Sequence, residues 1–170
     1  MNRYKKGDAR DDGKISKYGE QLLEKQRLKA YYGVLEKQMM LYVKRAFKSK
    51  EIPGDHLIKS LETRLDNLVY RSGFASSLRQ ARQMVVHGHI AVNGNKTDIP
   101  SFPVQAGDRL TLRTAKPNFL ENFERVEVTA AYLERIEADR AAVLKRMPER
   151  SEIPVQLSDA LIVEFYSKQH

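Results

Sequence analysis

Between Arg64 and Lys96 the chain concentrates side chains that grip phosphate and ribose rather than ones that break bonds. Arg64, Arg71, Arg79 and Arg82 carry planar guanidinium forks, which match phosphate oxygens bidentately. Asn67, Ser76, Gln80, Gln83 and Asn93 add amides and a hydroxyl, and His87, His89 and Lys96 complete the set. Folded RNA is read mainly by shape, phosphate and 2′-OH contacts, because its deep major groove excludes side chains. A fixed surface of arginines and amides suits that task. The alternative is that these arginines only solvate the helices that carry them.

The same stretch holds no catalytic constellation. Asp66 reads as an ion-pair partner of Arg64, Arg71 or Arg82. His87 and His89 flank Gly88 at a helix-to-strand corner, which favours a turn role with a phosphate or sugar contact over acid–base catalysis. There is no His-Glu-x-x-His spacing, no cysteine and no glycine-rich nucleotide loop. No metal, no cofactor and no enzymatic activity are expected.

These side chains need elements to hold them. Ser77 followed by Gln80 reads as a capping-box start. Leu78, Ala81, Met84 and Val85 then fall on one side of a helix, with Arg79, Arg82 and Gln83 opposite. Replacing Arg79 and Arg82 together should therefore barely change stability, yet cut RNA affinity by about 2–4 kcal/mol. An earlier stripe of Leu61, Leu65, Leu68, Val69 and Ser72 fits one helix or two, ended by Gly73 with Phe74 closing the turn. After Gly88 the period changes from helix to strand. Asn93-Gly94 between two strand-like runs is a hairpin signal, and Gly107-Asp108 leads into the alternating strand Arg109–Arg113.

Upstream, Tyr18 to Lys48 reads as two helices separated by Gly33. Leu28, Tyr31, Tyr32, Leu35, Met39, Tyr42 and Ala46 recur at helical steps; the tyrosines at this spacing fit a core, the alternative being base stacking. Ile52-Pro53-Gly54 interrupts, and Asp55 can cap the next helix. Downstream, Phe119, Leu120, Phe123 and Val126 suggest a short helix, and Ser158 caps a helix with Leu161, Ile162, Phe165 and Tyr166 on one side. Ala131 to Met147 is rich in helix-forming Ala, Glu and Arg.

The net charge of +8 lies entirely in the first third of the 170 residues: residues 1–50 hold fourteen Lys/Arg against six Asp/Glu, and the remainder sixteen of each. A one-ended basic balance points to a polyanion. Arg3, Lys5, Lys6, Lys14 and Lys17 sit in a polar, irregular arm over residues 1–17. Lys25, Arg27, Lys29, Lys44 and Arg45 extend the basic surface onto the helices. The lack of cysteine fits a reducing compartment, and no long apolar run or signal-like start is present.

The wording and spacing of "RLDNLVYRSGFASS" and "QARQMVVHGHIAVNG" within residues 61–113 resemble the small RNA-binding module of the ribosomal S-four family. That module also occurs in some tRNA synthetases, pseudouridine synthases and heat-shock RNA-binding proteins. "YGEQLLEKQRLKAYYGVLEKQMMLYVKRA" resembles the N-terminal helical part of the S-four family itself, and "SDALIVEFYSK" its C-terminal signature. Fewer than twenty residues precede this match, where bacterial members usually have several tens, and the cysteine zinc site some of them hold there has no counterpart.

The resemblance implies an α+β chain: an all-helical domain (18–60 plus 148–170) with an inserted domain of helices on a five-stranded antiparallel sheet (61–147). It turns Ala131–Met147 into two strands, near Tyr132–Ile136 and Ala141–Arg146. It implies a structural constituent of the small ribosomal subunit, bacterial or organellar, that binds rRNA directly, nucleates assembly and contributes to translational accuracy. Its implied partners are small-subunit rRNA, neighbouring proteins five and three, and mRNA near its entrance, in cytoplasmic ribosomes or those of an organelle, with no membrane. The alternative is a free-standing regulatory or stress-related RNA-binding protein built on the same module.

Overall fold

The computed structural model describes residues 15–168. Helix α1 (Lys17–Tyr32) starts behind Ser16, whose Oγ accepts from the Gly19 amide at 3.0 Å. It stops at Gly33, whose φ of +64° is a left-handed conformation that suits glycine. Helix α2 (Glu36–Lys48) follows. Leu28, Tyr32, Met39, Tyr42 and Ala46 of the upstream stripe are buried, whereas Tyr31 and Leu35 are exposed.

Helix α3 (Pro53–Glu62) opens with proline in its first turn, where the missing N–H costs nothing. Its N-cap is Ile52, without a side-chain bond, so Asp55 lies inside the first turn and does not cap. The stripe from Leu61 to Ser72 is carried by two helices. Thr63 ends α3, Arg64 is extended and bridges to Pro103, and α4 (Leu65–Arg71) begins one residue later.

Phe74 closes the end of α4: its amide donates to the Val69 carbonyl at 3.2 Å and its ring is fully buried. Helix α5 (Leu78–Val86) is capped by Ser77 Oγ on the Gln80 amide, at 3.0 Å. The reciprocal half of the capping box is diverted, because Gln80 Oε1 accepts from the amide and hydroxyl of Ser76 instead.

Strands β1 (Ile90–Val92) and β2 (Asn95–Lys96) form the hairpin about Asn93-Gly94, both with positive φ. The second strand is shorter than the sequence pattern suggests. Strand β3 (Arg109–Leu112) pairs with β1, and after helix α6 (Pro117–Arg125) come β4 (Leu133–Ile136) and β5 (Ala141–Leu144). All pairings are antiparallel, in the order β2-β1-β3-β5-β4. Strand β5 lies inside this sheet, where Ala141, Ala142 and Leu144 are buried; sheet pairing overrides its alanine-rich helical composition.

Two hydrophobic clusters result. One gathers α4, α5, α6 and the sheet, with Phe74 and Phe123 stacked at 5.1 Å. The other gathers α1, α2, α3 and the last helix, α7 (Asp159–Ser167), capped by Ser158. Ile162, Phe165 and Tyr166 are buried in it, and Leu161 is partly covered. The Phe165 ring lies 5.7 Å from Tyr18 and 5.2 Å from Tyr166, under the Lys25 ammonium at 5.0 Å. Phe165→Ala is expected to cost about 3–5 kcal/mol of stability. Urea denaturation reads this directly; an unchanged midpoint would mean that α7 contributes nothing to the helical cluster.

Candidate nucleic-acid interface

Several arginines that sequence spacing turns outward face the seam between the two clusters. Arg64 is 3% exposed by side chain; its Nε and Nη2 grip Asp66 at 3.1 and 3.0 Å, and its Nη1 donates to the Tyr42 hydroxyl. Asn67 is buried, with its amide nitrogen donating to the Glu62 carbonyl at 2.7 Å. Arg71 bonds Glu62 through Nε (2.8 Å) and Nη2 (3.2 Å), and Tyr31 through Nη2. Arg82 donates Nε to Asp66 at 3.0 Å, and its other two nitrogens to the carbonyls of Gly33 and Tyr32, both at 2.9 Å. Asp66 thus pairs with Arg64 and Arg82, while Arg71 belongs to Glu62.

Glu62 is the hub of this seam. Besides Arg71 it accepts from the phenols of Tyr32 (2.7 Å) and Tyr132 (2.6 Å). Burial, reinforced by the Glu62 charge, pushes both phenols far above their ordinary pKa. For Arg71, burial opposes the charge, but the bonds to Glu62 outweigh it and raise the pKa further.

Arg64 and Asn67 are therefore structural, since a side chain buried against its own carboxylate or carbonyl has no face left for a phosphate. The same holds for Lys25, buried and bonded to Glu36 at 3.0 Å. Arg71 and Arg82, half-buried, are held by intramolecular bonds. Replacing Arg82 cannot be neutral for stability, because it would leave Asp66 and two carbonyls short of donors.

The outward surface is centred on the corner between α5 and β1. Arg79, Gln83 and His87 recur at four-residue steps along α5 and are all exposed. The helix ends at Gly88, φ +77°, whose carbonyl accepts from Arg113 Nη1. The Lys96 aliphatic chain runs beside Gly88. His89 Nδ1 lies 2.9 Å from the Thr114 hydroxyl and its ring 5.2 Å from Phe119, over which the Lys116 ammonium sits at 5.7 Å. Burial, then the charges of Lys116, His87 and Arg113, lowers the His89 pKa. A groove of about 300 Å³ runs between Gln80, Gln83 and His87 on one side and His89, Lys116 and Asn118 on the other.

The corner thus gathers Arg79, Gln80, Gln83, His87, His89 and Lys96. Arg113 and Lys116 join it without having been singled out by sequence. The available signal was register: β1–β3 pairing sets Ile90 opposite Leu112 and brings the Arg113 amide to the His89 carbonyl at 2.7 Å. Ser76 is exposed but bonded to Gln80. Asn93 holds the hairpin, accepting from the Arg109 amide and donating to Asp108.

A second basic surface lies on the N-terminal helices. Lys44 and Arg45 are exposed on α2, with the Arg45 guanidinium 5.9 Å from the Tyr42 ring centre. Arg27 is exposed but paired with Glu24 at 2.8 Å, Lys29 is paired with Glu36 at 3.1 Å, and Lys17 lies 3.7 Å from Glu164. Arg3, Lys5, Lys6 and Lys14 fall outside the described residues. Among the described residues no group of three or more His, Asp or Glu side chains is arranged to hold a metal ion, and no helix is long and apolar enough to cross a membrane.

Residues 63–110, which include α4, α5, β1, β2 and the first half of β3, match the family model described as the S4 domain. Residues 2–62 match the one described as the ribosomal protein S4/S9 N-terminal domain. The chain is 52% identical to small ribosomal subunit protein uS4B of Clostridium acetobutylicum over 158 residues, covering 91% of this chain and 82% of that protein. The chain belongs to the uS4 family of small ribosomal subunit proteins. It is also 52% identical to uS4 of Finegoldia magna (96% of this chain, 85% of that protein). Identity to uS4 of Chlorobaculum parvum is 43%, over 92% of this chain and 79% of that protein. The α5–β1 corner is largely inside the S4-domain match, while Arg113 and Lys116 lie just beyond it.

Proposed function

We propose that this chain is a structural constituent of the small ribosomal subunit that binds small-subunit rRNA directly, with the α5–β1 corner as its principal contact. The observation that carries the reading is the corner itself. Lys96, Arg113 and Lys116 are exposed cations about the end of α5, and Arg79, Gln83 and His87 continue an exposed line back along the helix, within or next to the S4-domain match. The exposed Lys44 and Arg45 of α2 supply a second, less specific attraction to phosphate. The role is architectural rather than enzymatic.

Within this reading, residues 18–60 with 148–170 form a helical domain and 61–147 an inserted RNA-binding domain. An early part in assembly, places beside proteins five and three and near the mRNA entrance, and an influence on decoding accuracy rest on the family likeness alone. A free-standing regulator built on the same module is the competing reading, and the match over residues 2–62 weighs against it. Sedimentation of cell extract separates the two. The protein is expected with small ribosomal subunits, and recovery mainly in the free fraction would overturn the ribosomal assignment.

A further inference from the structure

Arg82 lies in the S4-domain match and on the helix that carries Arg79, Gln83 and His87, yet its guanidinium turns away from that face. It crosses the seam to the C-terminus of α1, 49 and 50 residues distant in sequence, and binds the Gly33 and Tyr32 carbonyls. These carbonyls are at the negative end of the α1 dipole, where a cation is favoured. Asp66, itself fully buried, holds the guanidinium from the other side.

The receiving end is shaped for this contact. Gly33 has a left-handed φ of +64°, and a Cβ placed there would fall 2.9 Å from Arg82 Nη2 and 3.0 Å from Nη1. The backbone turn favours glycine, and any larger residue there would push the guanidinium away from its two carbonyls. The clamp ties together the two clusters that carry the basic surfaces, the α5–β1 corner on one and the α1–α2 surface on the other.

We propose that Arg82 is a positioning residue for RNA binding: it fixes the α5–β1 corner relative to the α1–α2 surface and does not itself hold phosphate. Two binding surfaces on one rigid body engage as a single pre-organised unit, and slackness between them lowers affinity without removing a contact. This inference rests on the proposed rRNA binding.

The test uses the full chain, which has no natural cysteine, and three variants: Arg82→Met, Gly33→Ala and Arg79→Ala. Gly33→Ala keeps every basic side chain but displaces the guanidinium, so it carries the test even if Arg82→Met folds poorly. Spin labels at Gln26→Cys on α1 and Glu121→Cys on α6, both exposed positions, report the distance between the clusters. Affinity for purified small-subunit rRNA is measured across a salt series.

Arg82→Met and Gly33→Ala are expected to broaden the label distance distribution and to weaken binding by about tenfold with an unchanged salt slope. Arg79→Ala should keep the distribution sharp and lower the slope by about 0.7–0.9, one phosphate contact. The proposal is overturned if Arg82→Met loses slope as Arg79→Ala does, or if Arg82→Met and Gly33→Ala give distributions that superimpose on the wild type. Absence of any wild-type rRNA binding would overturn the RNA reading, while the label distances would still decide whether Arg82 clamps the clusters.

Discussion

Replacing Glu62 with alanine is expected to destabilise the chain by about 3–5 kcal/mol, because it removes one partner from a buried ion pair. Glu62 is fully buried and accepts four hydrogen bonds, two from Arg71 and one each from Tyr32 and Tyr132. Without it the Arg71 cation and two phenols lose their acceptor at a place water reaches poorly. The three donors come from α1, α4 and the approach to β4, so both hydrophobic clusters should loosen together. Tyr132→Phe deletes one donor and leaves the carboxylate its other partners, and should cost only about 1 kcal/mol. Urea denaturation of the two variants checks the order. An alanine variant no weaker than the phenylalanine one would mean the network contributes little.

Affinity for small-subunit rRNA is expected to fall about 10³-fold between 50 and 200 mM salt. Some six phosphate contacts, at about 0.7–0.9 each, give a log–log slope of roughly −4 to −5. The cations to supply them are Arg79, Lys96, Arg113 and Lys116 at the corner, with Lys44 and Arg45 on α2. Filter binding across a salt series measures the slope directly. A flat response would contradict a phosphate-dominated interface.

Much of the architecture could be read from local pattern, because the elements are set by local physics. Ser77, Gly73, Gly88 and Asn93-Gly94 mark boundaries that the chain keeps, and the stripe Ala81, Met84, Val85 names the buried face of α5. The pair β4 and β5 was legible only through the family resemblance. Their alanines and glutamates favour a helix, and the β4–β5 hairpin that forms instead is anchored by a non-local pairing, β5 on β3 with Leu110 opposite Ala142.

The site was legible in type but not in detail. Helical spacing tells which side of α5 faces its own core. It does not tell that a second cluster abuts the opposite flank and claims Arg82. The sequence offers Asp66 as a partner for Arg64, Arg71 or Arg82, and the chain uses it for the first and the last; it does not show that Arg71 goes instead to a buried Glu62, nine residues before it in the chain. Conversely, Arg113 and Lys116 look like ordinary connecting residues until β3 pairs with β1 and carries them to the His89 corner. Long-range partners of charged groups are what local pattern omits, and here they decide which cations are free.

In the proposed complex the α5–β1 corner lies against small-subunit rRNA. A hydroxyl-radical source tethered at Gln83→Cys tests it most directly, since Gln83 is exposed on the corner. In reconstituted particles the probe should cleave a confined set of small-subunit rRNA nucleotides. Particles that contain the protein but show no cleavage above that of free probe would contradict the assignment of this face.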